Sequence, residues 1–279
     1  VAGQPLFNRA VSGLYNPGST IKPLVALAAL KENIITPDWQ AYSGGFLELP
    51  NPYNPDKPSR FLDWKAHGWV DLHSALARSS NIYFYMLGGG CPARINCETR
   101  PTKISVGLGI EKLKKYWELF GLHEPTGIDL DGEGIGFLPD VAEKEKRTGQ
   151  IWRIGDTYNV SIGQGDLTVT PLWLLNFYAS LANNGKMLRP FLVSKVIDEK
   201  NNIIKENSSE EVLDYTDFGS AIREVQRGLR DTVAQPYGTA NMLYDLPYKT
   251  AGKTGSAQVQ NNKKTNAFFI GYGPYENPK

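Results

Sequence analysis

Histidine and cysteine are scarce in these 279 residues, with three of one and two of the other, and that scarcity narrows the chemistry. A Ser-His-Asp triad needs an imidazole beside its nucleophile. No local signature of that kind surrounds His67, His73 or His123, and His73 and His123 read as structural. A cysteine-based metal framework is excluded too, because Cys91 and Cys97 have no second ligand pair. In the Gly- and Pro-rich run from Gly88 to Cys97 they either close a small disulfide in an oxidising compartment or stand as two free thiols.

Charge of one sign is also missing. Thirty Lys and Arg face twenty-nine Asp and Glu, a formal net charge of +1. That balance offers no footprint for nucleic acid and no polybasic patch for a membrane surface. Long apolar runs are absent: Pro23–Leu30 and Pro171–Leu181 fall well short of the roughly 20 residues a membrane-spanning helix needs. Val1 to Ala10 lacks the charged region and apolar stretch of a signal peptide. The segment therefore reads as soluble, with any membrane anchor expected upstream of Val1.

What is present is 41% hydrophobic residues, enough for a large core in one domain. Helical and extended signals alternate unevenly, which favours an α+β arrangement over regular βαβ repeats. Ser19 to Leu30 reads as a helix with a buried Ala/Leu face, and Asp71 to Ala77 as a short second one. Ile110, Leu113, Trp117 and Phe120 recur at helical spacing and stop at Gly121. Thr170-Pro171 opens another helix that ends near Asn184-Gly185, and Phe218, Ile222, Val225 and Leu229 mark one more. Strand signals come late, at Tyr248–Val259 and Asn266–Tyr272.

Three short motifs carry the chemistry. In Ser19-Thr20-Ile21-Lys22 the serine and lysine are close to one helical turn apart, about 4.5 Å of rise, so Ser19 Oγ and Lys22 Nζ can meet on one face. Pro23 places this serine near the helix start, beside free N–H groups and the positive end of the dipole. A serine becomes a useful nucleophile when a neighbouring base takes its proton, and a desolvated lysine can be that base. In Ser79-Ser80-Asn81 a hydroxyl and an amide two residues apart, on a turn between helices, can point into one cleft. In Lys253-Thr254-Gly255-Ser256 small residues along a strand allow a peptide backbone to lie alongside, while Lys253 and Thr254 offer charge and a hydroxyl to a terminal carboxylate. Each motif alone is weak; their order and context are not.

In that order the motifs resemble those of penicillin-binding proteins and class A β-lactamases. The chain resembles most the transpeptidase domain of class B penicillin-binding proteins, over nearly its whole length. The likeness includes Arg9 to Gly18 ahead of the serine, Asp63-Trp64-Lys65, Gly127-Ile128-Asp129-Leu130 with Gly132-Glu133, and Gly155 to Gly165. The last of these resembles the cell-elongation branch. The resemblance implies a penicillin-binding/β-lactamase-like α+β fold, an antiparallel sheet flanked by helices with a large helical subdomain. It implies that Ser19 is acylated, Lys22 is its base, Ser79 and Asn81 line the cleft, and Lys253 and Thr254 bind the substrate carboxylate. The backbone N–H groups of Ser19 and Ser256, the latter next to Gly255, would form the oxyanion hole. Peptidoglycan stem peptides and β-lactams are the implied ligands, and cell-elongation membrane proteins the implied partners, at the extracytoplasmic face of the plasma membrane. No cofactor is implied.

The chain also departs from its relatives. Some of them place metal ligands near the Asp-Trp-Lys segment, and Asp63 and His67 match two. Ser80 stands where such relatives carry cysteine, and structural zinc takes four ligands, so no metal is expected. The family sheet has two strands before the serine motif and a further strand and helix after Tyr272, so a sheet cut at both ends is expected. Asp129, Asp131 and Glu133 read as loop residues rather than an acid-base cluster, and Trp64, Trp69, Trp117 and Trp152 as core or cleft wall. Two rival readings remain: a β-lactamase or D,D-carboxypeptidase, for which no deacylating base can be assigned, and a non-catalytic wall-binding module, which needs neither Ser19 nor Lys22.

Overall fold

The computed structural model describes residues 4–51, 54, 56–92, 95, 97–259 and 264–278. Val1, Ala2 and Gly3 at the amino terminus, and Ala93, Arg94 and Asn96 between the cysteines, lie outside the described residues. The α+β expectation holds. A 3-10 turn at Gly18–Ile21 runs directly into α1 (Lys22–Lys31). Four short strands follow, β1 (Gln40–Ser43), β2 (Phe46–Leu49), β3 (Ser59–Leu62) and β4 (Gly68–Val70), then α2 (Leu72–Arg78), α3 (Asn81–Gly89) and β5 (Thr99–Arg100). Next come α4 (Gly109–Leu119), α5 (Val141–Thr148), α6 (Ile154–Ser161) and α7 (Pro171–Ala182). The strands β6 (Lys186–Leu188), β7 (Lys195–Ile197), β8 (Ile203–Glu206) and β9 (Glu211–Asp214) precede α8 (Gly219–Ala234), and the chain closes with β10 (Ala251–Val259) and β11 (Lys264–Tyr272).

The centre is α1. Its residues from Lys22 to Ala29 are all buried, because Lys-Pro-Leu-Val-Ala-Leu-Ala-Ala has no polar face to leave in water. α3, α4 and α8 pack around it. α8 shows the opposite pattern: Ala221, Ile222, Val225, Leu229 and Val233 form one buried stripe facing α2 and β10, with charged residues outside. Gly228 lies in that stripe because a Cβ there would sit 2.5 Å from Leu76 Cδ1, so the Leu76 side chain of α2 packs directly on the α8 backbone.

β10 and β11 form an antiparallel pair from Ala251 opposite Tyr272 to Val259 opposite Lys264, and β10 lies across the 3-10 turn and α8. The two late strands were expected, with slightly different bounds. The other nine were not, and neither were α5 and α6. β4-β1-β5 make a small three-stranded sheet, while β2-β3, β6-β9 and β7-β8 are two-stranded. β7 and β8 are exposed at every position, so no alternation of burial marks them. Cys91 and Cys97 are joined in a disulfide. Trp117 is buried in the core and Trp152 packs against it, while Trp64 and Trp69 are largely exposed.

Candidate active site

The serine motif is built by a bend. Gly18, with φ +55°, turns the chain after Pro17, and the 3-10 turn from Gly18 brings Ser19 to the surface of a cleft while Thr20 and Ile21 stay buried. Lys22 follows as the first residue of α1, wholly buried. Its Nζ donates to Ser79 O and Asn81 Oδ1, each at 2.8 Å, and reaches Ser79 Oγ at 3.4 Å. Burial draws its pKa down to about 7, against the opposing pull of the Asp63 carboxylate. The expectation that Ser19 and Lys22 meet through one helical turn is therefore amended. No hydrogen bond joins them; the lysine stem is drawn instead to the second motif, where carbonyl and amide oxygens satisfy an ammonium that α1 buries.

Those oxygens are available because of an unusual backbone. Ser79 ends α2 in the left-handed region, φ 57° and ψ 38°, uncommon for a residue other than glycine. Ser80 then caps α3, and Asn81 is its first residue. Asn81 Nδ2 donates to Leu62 O at 3.1 Å, so the amide turns its oxygen toward Lys22. A buried carboxylate holds the whole connection. Asp63 Oδ1 accepts from the Asn81 and Trp64 N–H groups, both at 2.9 Å. Its Oδ2 accepts from Ser80 Oγ at 2.7 Å, Ser43 Oγ at 2.9 Å and Ile82 N at 3.2 Å. Burial opposes its ionisation. The His67 imidazole, the Lys22 charge, the Asn81 N–H and the Ser80 hydroxyl nevertheless hold Asp63 well below the usual carboxylate range.

The same cluster bears on metal binding. His67 Nε2 lies 3.6 Å from Asp63 Oδ1, and among the described residues neither ring nitrogen has a hydrogen-bond partner. The other groups on Asp63 Oδ2 are two serine hydroxyls, which donate to it. One carboxylate and one imidazole supply two of the four ligands structural zinc takes, and neutral hydroxyls are poor substitutes. Among the described residues no three His, Cys, Asp or Glu side chains group to hold a metal ion. The donor set does not fit a zinc site.

The third motif lies on β10. Lys253 is fully buried, and its Nζ donates to Thr254 O at 3.1 Å. Burial and then the neighbouring Lys22 charge draw its pKa well below the usual lysine value. Gly255 lets β10 lie close against the serine motif: a Cβ there would sit 2.7 Å from Thr20 Cγ2 and 3.0 Å from Pro17 O. Gly163 does the same from the Gly155–Gly165 run. Gly18 N donates to Gly163 O at 2.9 Å, and a Cβ on Gly163 would collide with Gly18 O. Three glycines thus let three backbone segments close on the residue that precedes Ser19.

The result is a cleft of about 850 Å³. Of the eight residues singled out in the sequence, Ser19, Ser79, Asn81, Thr254, Gly255 and Ser256 line it, and Lys22 and Lys253 lie buried beneath. Trp64, expected as core or cleft wall, and Gln164, from the Gly155–Gly165 run, also line it, as do Arg60, Tyr85 and Thr239, which carried no readable motif. Asp63 does too; its anchoring role joins residues 18 positions apart, a pairing no local pattern signals. The remaining candidates serve structure. His73 pairs with Glu224 across α2 and α8, and His123 lies near Glu124. Asp129 accepts from the Leu192 and Val193 N–H groups, and Glu133 from Thr126 and Gly127.

Comparison with known proteins identifies the family. The sequence family described as penicillin binding protein transpeptidase domain matches residues 2–279. A peptidoglycan D,D-transpeptidase MrdA from Haemophilus influenzae is 34% identical over 297 residues, covering 99% of this chain and 42% of the relative. Among solved structures, the PBP2 of a complex with MreC from Helicobacter pylori superposes with a TM-score of 0.78 at 30% identity, covering 98% of this chain and 46% of that one. Pseudomonas aeruginosa PBP2, solved in complex with WCK 5153, gives 0.76 at 32% identity over 99% of this chain and 57% of that one. The chain spans less than half the length of the curated MrdA relatives it matches. Among the described residues no helix is long and apolar enough to cross a membrane.

Proposed function

The chain belongs to the penicillin-binding protein transpeptidase family, and from that premise we propose that residues 1–279 act as one D,D-transpeptidase domain working through a serine acyl-enzyme. The observation that carries the proposal is Lys22: a buried amine with a pKa of about 7, held by Ser79 and Asn81 beneath the cleft that Ser19 lines. A lysine in that state takes a proton at neutral pH. Ser19 Oγ attacks the carbonyl of the penultimate D-Ala of a stem peptide and gives its proton to Lys22. The N–H groups of Ser19 and Ser256 receive the developing oxyanion. The terminal D-Ala leaves as its amine gains a proton, and an amine of a second stem peptide takes the acyl group from Ser19. Thr254, with Lys253 buried beneath it, holds the terminal carboxylate.

Water as acceptor would make the enzyme a carboxypeptidase or β-lactamase, which needs a base for deacylation. Among the described residues lining the cleft the one carboxylate is Asp63, and five hydrogen bonds already engage it. That favours transfer over hydrolysis, and β-lactams would act as long-lived acylating ligands. The peptidoglycan D,D-transpeptidase relatives and the PBP2 solved with MreC support peptidoglycan cross-linking beside a protein partner, and we extend the proposal to cell-wall elongation at the extracytoplasmic face of the membrane. The test supplies a thioester ending in D-Ala-like donor chemistry together with a D-amino acid. Aminolysis product that grows with acceptor concentration and vanishes in Ser19→Ala supports transfer. Hydrolysis alone, unaffected by acceptor, refutes it.

A further inference from the structure

Thr239 belongs to none of the three motifs, yet it lines the same cleft, and its hydroxyl lies 2.7 Å from that of Thr254 in a hydrogen bond. We infer that Thr239 is a positioning and specificity residue for carboxylate-bearing ligands, acting by fixing the direction of the Thr254 proton. The inference rests on the proposed acyl-enzyme reading and deepens it.

A hydroxyl has one proton and two lone pairs. To bind a carboxylate, Thr254 must donate that proton into the cleft, and it cannot then donate to Thr239. The 2.7 Å contact is kept only if Thr239 becomes the donor. In that arrangement the Thr254 oxygen accepts from behind, its rotor is fixed, and its single proton faces the ligand. Without Thr239 the Thr254 hydroxyl turns freely and must be oriented at the moment of binding, which costs affinity in the loaded state. Chained hydroxyls also polarise one another, so a donor behind Thr254 strengthens its bond to an anion.

The segment carrying Thr239 is built for a fixed position. Thr239 N donates to Ala77 O at 3.0 Å, just ahead of Ser79. Ala240 N donates to Thr232 O at 3.0 Å on the far side, and Ala240 is buried. The Arg78 guanidinium stacks on the Tyr237 ring at 4.1 Å. Gly238 has no room for a Cβ, which would strike Thr232 O. These contacts tie the segment to the end of α2 and to α8, so the Thr239 hydroxyl is presented to β10 by a scaffold that also carries the second motif. A threonine that merely filled space would need none of this. Being half-exposed in a cleft, Thr239 contributes little to the core.

The experiment compares the second-order acylation rate of Ser19 by benzylpenicillin and by its methyl ester, which keeps the reactive ring and loses the carboxylate. Wild type, Thr239→Val and Thr239→Ser are measured in parallel by intact mass. Thr239→Val keeps the shape and removes the proton. It is expected to slow benzylpenicillin about tenfold, the scale of a charge-assisted hydrogen bond, and the ester by less than twofold. Thr239→Ser should return the free-acid rate to near wild type. Equal slowing of both ligands by Thr239→Val would show a general structural effect and overturn the inference, as would an unchanged preference for the free acid. Failure of wild type to acylate with either ligand would instead refute the acyl-enzyme reading itself, and this inference with it.

Discussion

The pH dependence of acylation follows directly from where Lys22 lies. A lysine at its ordinary value of 10.5 is neutral in about one molecule in three thousand at pH 7, whereas at about 7 half the molecules carry the free amine. Burial thus raises the population of competent base by roughly a thousandfold. The second-order rate of benzylpenicillin acylation is therefore expected to rise with pH, with a midpoint near 7, and to fall tenfold per pH unit below it, reaching about a hundredth of its plateau at pH 5. The same displacement has a stability consequence. The unfolded chain keeps this proton up to about 10.5, while the folded chain releases it above about 7, so between those values the unfolded state binds more protons and stability rises with pH. Below pH 7 the whole penalty is present, at most about 5 kcal/mol. Lys22→Met removes it. Urea unfolding of wild type and Lys22→Met at pH 6 and pH 10 should show the variant gaining several kcal/mol relative to wild type at the lower pH, while its acylation falls by orders of magnitude. A flat acylation profile from pH 5 to 9, or a stability difference independent of pH, would refute the reasoning.

Other expectations rest on the surrounding contacts. Asp63→Asn should cost about 2–4 kcal/mol in urea unfolding, because five donors lose a charged acceptor. Since the Asp63 charge raises the Lys22 pKa, its removal should also move the acidic limb of the acylation profile to lower pH; a limb that stays put would contradict the coupling. Gly163→Ala, at φ +74°, should slow acylation more than tenfold by pushing the loop off Gly18 and displacing Ser19. Gly165→Ala is the control: it has nearly the same φ, +72°, but its Cβ meets Val160 Cγ1 at 3.6 Å, so it should lose only about 1–2 kcal/mol of stability. Equal effects of the two substitutions on acylation would remove the argument from close approach.

Much of the helical frame was legible because burial leaves a period. α8 could be read from Phe218, Ile222, Val225 and Leu229, and α4 stops at Gly121, whose φ of +67° explains the glycine. α5 has no buried residue and therefore no stripe to read. Its signals are its ends, the Asp140 cap on Glu143 N and Gly149 at φ +67°. β7 and β8 are short and exposed throughout, so pairing with each other, rather than burial, defines them. In the site, residue types and order pointed to Ser19, Ser79, Asn81 and Lys253-Thr254-Gly255-Ser256, but not to how they touch. That Lys22 turns to Ser79 O depends on the left-handed Ser79 backbone, a feature serine does not advertise. Thr239 and Asp63 act across gaps of 15 and 18 residues that only the folded chain closes.

The central claim is that Ser19 is a nucleophile served by Lys22, and one measurement bears on it most directly. The protein is incubated with benzylpenicillin, its intact mass is recorded over hours, and the modified peptide is sequenced by fragmentation. The account predicts one stable penicilloyl adduct per chain, located on Ser19, persisting well beyond the time it takes to form, and absent in Ser19→Ala. An adduct on any other residue, labelling of Ser19→Ala at the wild-type rate, or rapid release with catalytic turnover of the antibiotic would contradict it.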